Sequence, residues 1–475
     1  MSAKRASGEG DAVRSKVLLV FGAASVIAAV QLVAVQSAAG ADHGRALQVL
    51  SGPTPFAAGC PGGRLDAEAI AGSEVEPAVA VNPRDPRNII ATWQQDIGPK
   101  AARSDLIKSS RDGGRTWQLS TIPGLTVCTG GTADVAGDPW LSVGIDGTVY
   151  FSGAIANATA DPPPVAVVAS RSTDGGRTWR QPTIIAAAEP GNDTDAVTAS
   201  PTVAGHAYLI WANWDHTYQV PMANELRFSR TTDGGVSWSP PVTIHQPAET
   251  AIDLSGHILV LPDGALLAVF ANADVAVGQG TLFASRSIDD GRTWQPAVEI
   301  ASHPVGFFAD PESGVELPQP GFPSAAIAPD GTVYVTSEAS TSPSTGAIAV
   351  ARSRDGGRTW TTSELPGVSA FAFEPAIAVD SHGTVGVIWY DLRNDRPGDA
   401  TLTTDVWFAD SSDDGATWRQ RHAGGPFDLR TAPRGQLGEY QGMTGLRRGF
   451  GTVVTMARPA AENGPSDVFY GRLRP

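Results

Sequence analysis

Seven positions along the chain share one chemical address. Asp138, Ser255, Phe322, Glu374 and Tyr440 each stand nine residues ahead of a turn glycine (Gly147, Gly264, Gly331, Gly383, Gly449), and Glu76 and Ser200 fit the same slot with altered turns. Three of the seven are carboxylates, and Glu439 adjoins Tyr440. Carboxylates brought together repel one another and raise at least one pKa, which suits acid/base work or the holding of a cation. The Glu-Pro and Asp-Pro pairs at three of these positions have a plainer reading, as strand starts capped beside water.

Further polar and aromatic residues follow in WQQD (93–96), WANWDH (211–216), FANAD (270–274) and WYDLRND (389–395). Flat aromatic faces stack on sugar C–H surfaces, and Asp, Asn and Arg fork hydrogen bonds to hydroxyl pairs. Trp214, Asp215, Tyr390, Asp391 and Arg393 are therefore candidate sugar contacts, along with Glu76 and Asp138. A tryptophan at a strand end serves core packing equally well, and Asp391 with Arg393 equally forms a salt bridge that holds its loop.

The elements that must position these residues are written in a repeat. SRDGGRTW occurs at 110–117 and again at 353–360, with looser copies STDGGRTW, TTDGGVSW, SIDDGRTW and SSDDGATW. The six aspartates, Asp112, Asp174, Asp233, Asp289, Asp355 and Asp413, are 62, 59, 56, 66 and 58 residues apart. A period near 60 announces repeated supersecondary units. Each copy follows a short β-branched or alternating run, and its D-x-G core is a turn signal in which Asp bonds local N–H groups and Gly supplies positive φ. The closing Trp offers a large apolar surface to neighbouring sheet.

This phrase resembles the Asp-box, or bacterial neuraminidase repeat, of sialidases and other β-propellers. The resemblance implies a box between the third and fourth strands of each blade, away from the active face. The expected fold is all-β, a seven-bladed propeller over 42–475 with a six-bladed ring as the alternative. The last unit runs out before its fourth strand, and RALQVLS at 45–51 is placed to complete it and remove two exposed edges. Sialidases use a tyrosine at the start of the last inner strand as nucleophile, and YQGMTGL (440–446) looks like that strand. The resemblance implies Tyr440 as nucleophile, Glu374 or Glu439 as its base, and Asp96 as the acid, with Asp105 or Asp138 as substitutes. One departure stands out: where sialidases carry R-I-P, this chain has Val75-Glu76-Pro77, and valine cannot clamp a substrate carboxylate. Two functions follow, an exo-acting glycoside hydrolase or a non-catalytic propeller that binds glycan or protein at its central mouth.

A formal charge of −15 with only four lysines in 475 residues leaves no basic stripe for nucleic acid. Lys4, Arg5, Arg14 and Lys16 precede an apolar run from Val17 to Val35 and then SAAGA, so residues 1–41 read as a signal peptide or a membrane anchor and the protein as exported. The membrane is expected to be touched through that segment alone, and the ring to be a monomer. Cys60 and Cys128 are the two cysteines, and in an oxidising compartment they form either one disulfide or two free thiols. No cofactor or metal is expected, apart from the possible cation at the acidic mouth.

Overall fold

The computed structural model describes the chain from residue 47 onward, without 57–59, 61–68, 99–100, 158–163, 190, 215–223, 275, 305–307, 311, 313, 319–321, 340, 343–344 and 462–463. The expectations for the N-terminal 41 residues lie outside the described residues.

Seven inner strands, Glu74–Val81, Val135–Val143, Asn192–Ala199, Ala251–Val260, Ser324–Ile327, Ala372–Val379 and Gly442–Gly445, each open an antiparallel meander of four. Each inner strand touches the next, and Gly442–Gly445 touches Glu74–Val81, so the fold is a β-propeller. The first two meanders also share one bridge pair, Ala102 with Ala136. The last meander, Gly442–Gly445, Phe450–Ala461 and Gly464–Leu473, takes its outer strand from the beginning of the chain: Gln48 pairs with Tyr470 and Val49 with Phe469. This is the closure expected of RALQVLS, and it covers an edge that would otherwise invite pairing with another chain.

The six Asp-boxes build one turn six times. In the copy at 353–360 the Ser353 hydroxyl donates to Asp355 Oδ1 at 2.9 Å and accepts the Gly357 amide at 2.9 Å. Asp355 then accepts the Arg358 and Thr359 amides at 3.0 and 2.9 Å and the Thr359 hydroxyl at 2.6 Å. The turn needs a left-handed residue after its aspartate; Gly356 supplies it at φ 72°, whereas Asp290 and Asp414 take the same position at 62° and 60°. Every box follows a third strand, so it lies at the opposite end of the meander from the start of the inner strand. Arginines stitch neighbouring units together there: Arg171 Nη1 donates to the Gly234 carbonyl at 2.5 Å and Arg352 Nη1 to that of Asp414 at 2.7 Å, and Arg111 and Arg230 reach Asp174 and Asp290 likewise. The closing tryptophans wedge against aromatic rings, as Trp117 does edge-on to Tyr470 at 5.0 Å and Trp294 to Phe228 at 5.2 Å.

A strap of residues 47–56, with Cys60 beyond it, is tied to the ring by polar groups. The Ser51 hydroxyl donates to Asp467 at 3.1 Å and Lys108 Nζ to the Leu50 carbonyl at 2.6 Å. Cys60 and Cys128 form a disulfide, which anchors the end of the strap.

Candidate functional site

Five inner strands break register near their start, between Val75 and Ala78, Gly137 and Trp140, Asp193 and Asp195, Leu254 and His257, and Phe373 and Ala376. In four of them a non-glycine residue holds a left-handed φ there: Glu76 at 53°, Asp138 at 55°, Thr194 at 48° and Glu374 at 49°. Such a conformation costs roughly 1 kcal/mol or more, and bulges of this kind re-aim side chains beside active sites. Pro77, Pro139 and Pro375 follow three of the four, in a place where a ladder amide is not required. Sequence alignment put Ser200 in this set. The structure puts Thr194 there instead, because Asn192–Ala199 is itself the inner strand and Ser200 begins the turn beyond it.

These bulges surround a pocket lined by Asp138, Trp140, Asp195, His257, Phe322 and Tyr440 among others. Tyr440 Oη donates to the Pro139 carbonyl at 3.1 Å, and its ring meets Trp140 edge-on at 5.2 Å. Trp140 in turn lies 4.8 Å from the His257 ring. Burial pushes the Tyr440 phenol well up, and the carboxylates of Glu76, Asp138, Asp105 and Asp195 push it further. Glu76 accepts from Gln94 Nε2; burial and then Asp138 and Glu439 hold its pKa well above the usual range. Burial raises Asp105 and Asp195 too, with Asp138 the next cause in both. Glu439 keeps solvent access within the concave mouth while protein surrounds it; that desolvation, with Asp193 and Asp138, pushes it up to about 8. Burial alone pushes His257 down to about 4. The site is thus a phenol among carboxylates, several of which burial and mutual repulsion hold above the usual range, with aromatic walls.

The sequence candidates divide. Tyr440, Glu439, Glu76 and Asp138 come together, and Asp105, first considered as a substitute acid, joins them. Glu374 is buried beside Glu338 and Glu439, both carboxylate oxygens lack a hydrogen-bond partner, and burial raises its pKa well above normal. Asp96 is not a free acid. It is fully buried, and accepts from the Thr54 hydroxyl at 2.7 Å, the Gly72 amide at 2.8 Å and Gln95 Nε2 at 3.1 Å, with Arg103 at 3.4 Å.

The sugar contacts expected at the ends of second strands are mostly structural. Trp93, Trp211 and Trp389 are fully buried, and each indole donates to a nearby polar side chain: Gln95 at 2.9 Å, Asn192 at 3.2 Å and Asp391 at 3.0 Å. Tyr390 is buried between units, with its hydroxyl donating to the Thr455 carbonyl at 2.7 Å and its ring stacked 5.2 Å from Phe373. Asp391 and Arg393 form the salt bridge, at 2.5 Å, and the guanidinium lies 3.9 Å over the Trp407 ring. Trp214 ends the strand Ala207–Trp214, and Asp215 lies outside the described residues. Sequence reasoning passed over Trp140, Asp195 and His257. Their signal was the position just after each bulge, which alternation would have marked as channel-facing once the bulge was recognised.

Among the described residues, no group of three His, Cys, Asp or Glu side chains is disposed to hold a metal ion. Among the described residues, none that lines the pocket is Arg or Lys.

Residues 224–434 match the family model described as a BNR repeat-like domain. No curated protein matches the chain. Among solved structures it is similar to the Hadza microbial sialidase Hz136, with 16% identity over 81% of this chain and 76% of that one and a TM-score of 0.48. It is also similar to a Penicillium chrysogenum α-L-arabinanase complexed with arabinobiose, with 18% identity over 73% and 94% and a TM-score of 0.47. A NanB sialidase from Streptococcus pneumoniae gives 11% identity over 86% and 94% and a TM-score of 0.46.

Proposed function

We propose that this chain, a β-propeller whose residues 224–434 match the BNR repeat-like domain, is an exported glycoside hydrolase of the sialidase type acting on glycans at its central mouth. The observation that carries the proposal is the phenol of Tyr440 set among the carboxylates of Glu76, Asp138, Asp105 and Asp195 beside the Trp140 ring. A phenol attacks poorly while it keeps its proton, so a base must stand next to it. Glu76, the first of the charges acting on Tyr440, takes that role in its ionised form, and the burial that raises its pKa makes it the stronger base once its proton is lost. The Tyr440 oxygen bonds to the anomeric carbon as its proton passes to the Glu76 carboxylate. The bond to the leaving oxygen breaks as that oxygen takes a proton from Glu439, whose pKa of about 8 keeps it protonated at neutral pH. Water then gives a proton to the Glu439 carboxylate as its oxygen attacks the anomeric carbon, the bond to the Tyr440 oxygen breaks, and that oxygen takes its proton back from Glu76, which releases the sugar and restores all three groups.

One contact favours a second reading, a propeller that binds glycan without turnover: the Tyr440 hydroxyl is engaged by the Pro139 carbonyl and not by a carboxylate. Turnover of a panel of aryl glycosides by the purified protein separates the two. Under the hydrolase reading Tyr440→Phe lowers kcat by about 100-fold or more with Tm unchanged. Glycan binding that survives this substitution, with no product from any member of the panel, overturns the hydrolase reading in favour of the binding one.

A further inference from the structure

We propose that the Asp-box end of the last meander docks on an anionic lipid surface through exposed arginines, and so turns the mouth away from the membrane. The inference concerns the end of the ring opposite the mouth and does not rest on the hydrolase reading.

The last meander departs from the repeat twice, and both departures change the sign of its charge. In the turn that follows the inner strand, Asp146, Asp263 and Asp330 each stand directly before the turn glycine and accept the amide of the residue after it. Arg448 holds that slot before Gly449, with Arg447 ahead of it. The third strand of each other meander runs into an Asp-box and its aspartate, whereas Gly464–Leu473 closes on Arg472 and is followed by Arg474. All four arginines are exposed, and among the described residues none of them has a carboxylate within salt-bridge reach. Elsewhere at this end the arginines are engaged: Arg230 pairs with Asp290 at 3.3 Å, Arg354 with Asp414 at 2.5 Å and Arg421 with Asp410 at 3.0 Å.

The four form one patch. A Cβ on Gly449 would stand 3.2 Å from Arg474 Cα, and one on Gly113 would stand 3.6 Å from Arg472 Nη1, which sets that guanidinium against the first Asp-box, where Arg111 and Arg115 are exposed as well. Asp112 of that box is bound by the Arg115 and Thr116 amides, and Asp380 is buried under the turn, accepting the Gly449 amide at 2.9 Å. Two observations favour lipid as the partner. A Cβ on Gly471 would meet the Leu47 side chain at 2.5 Å, so residues 1–46, with the apolar run from Val17 to Val35, join the ring beside Arg472. The chain as a whole carries −15, so an anionic surface repels its other faces, and a field that decays within about 10 Å selects the one face with arginine in excess. Each guanidinium at such a surface is worth roughly fivefold in affinity. The patch thereby adds a second membrane contact to the N-terminal segment.

The test is flotation of the full chain with phosphatidylcholine vesicles, with and without about one-third phosphatidylglycerol, together with phenylglyoxal footprinting of the bound protein. The N-terminal segment contributes equally to every variant, so the patch is read from differences. Arg447→Gln, Arg448→Gln and Arg472→Gln combined are expected to lower affinity for the anionic vesicles by about tenfold or more, with neutral vesicles and Tm unaffected, and about 0.5 M salt to erase the difference. Arg177→Gln, Arg292→Gln and Arg358→Gln combined remove the same charge from exposed positions in other Asp-boxes and are expected to change that affinity by less than about threefold. On anionic vesicles the native Arg447, Arg448 and Arg472 should lose reactivity by about fivefold or more, while Arg396, exposed on a loop at the mouth end, keeps it. Equal losses in the two triple variants overturn the inference. So do a native chain without anionic preference, full reactivity of Arg447 and Arg448 on bound vesicles, or capture of the chain by soluble polyphosphate in preference to anionic vesicles.

Discussion

Gly438 and Glu76 are in contact through the absence of a side chain: a Cβ on Gly438 would stand 2.3 Å from Glu76 Cγ and 2.8 Å from its amide nitrogen. Gly438 also holds φ 111°, outside the range open to other residues, while the adjacent Leu437 carbonyl accepts the Glu76 amide at 3.2 Å. The loop that delivers Glu439 and Tyr440 is thereby pressed against the strained start of the first inner strand. Gly438→Ala is expected to lower stability by about 2 kcal/mol or more and to displace Glu76 from the phenol. A fall in Tm together with a loss of glycan binding checks it; an unchanged Tm contradicts the contact.

The Asp-boxes stand at the far end of the meanders from this loop and should separate stability from function. Asp355→Ala removes an acceptor for two amides and two hydroxyls and is expected to cost about 1 kcal/mol, as does the loss of a capping side chain. Binding at the mouth should be unaltered once the variant is folded. Calorimetric Tm and a binding isotherm on one preparation measure both.

Closure of the ring carries a pH dependence through Glu74. Burial pushes Glu74 up to about 9; Asp467 and Asp96 add to this against the bond from Gln95. In the unfolded chain the carboxyl ionises near 4.5, so the folded state retains a proton that the unfolded state loses. Stability from this group is complete below about pH 4.5 and falls by about 1.4 kcal/mol per pH unit as pH rises towards about 9. Glu74→Gln should flatten the Tm profile across that window, and a profile equally steep in the variant excludes Glu74 as its source.

His257 reports on the walls of the pocket. Burial depresses its pKa to about 4, so it ionises below the range of an ordinary imidazole. Trp140 covers the ring at 4.8 Å, and Trp140→Ala is expected to admit water and return the pKa towards 6.5. NMR titration of the imidazole measures the shift, and loss of glycan affinity by about tenfold or more should accompany it if Trp140 is the sugar platform.

The architecture was legible because its signals are local. D-x-G turns six times over, β-branched runs between them and an orphan strand at the end define four-stranded units and their closure without knowledge of any long-range contact. Tyr440, Glu76 and Asp138 were legible through their fixed distance from a turn glycine. The match failed at Ser200 because its Ser-Pro pair opens the turn after the inner strand, whereas the bulge, at Thr194, has no proline after it. Asp96 looked like an acid because WQQD resembles a polar rim; the donors that bind it, Thr54, Gly72 and Arg103, lie on segments whose meeting depends on how the strap packs. Tyr390 read as a sugar contact for the same reason. Whether a strand-end ring faces solvent or the next unit is set by tertiary packing, which no alternation within the strand records.

The pairing of Gln48 and Val49 with Phe469 and Tyr470 has a consequence for biosynthesis. As the polypeptide leaves the ribosome, the strand Gln48–Val49 waits without its neighbour until about 420 further residues, through Phe469 and Tyr470, have been made. A chain stopped before Gly464 would therefore lose more than one strand: it would leave raw β-edges on Gln48–Val49 and on Phe450–Ala461, and aggregation would be its characteristic fate.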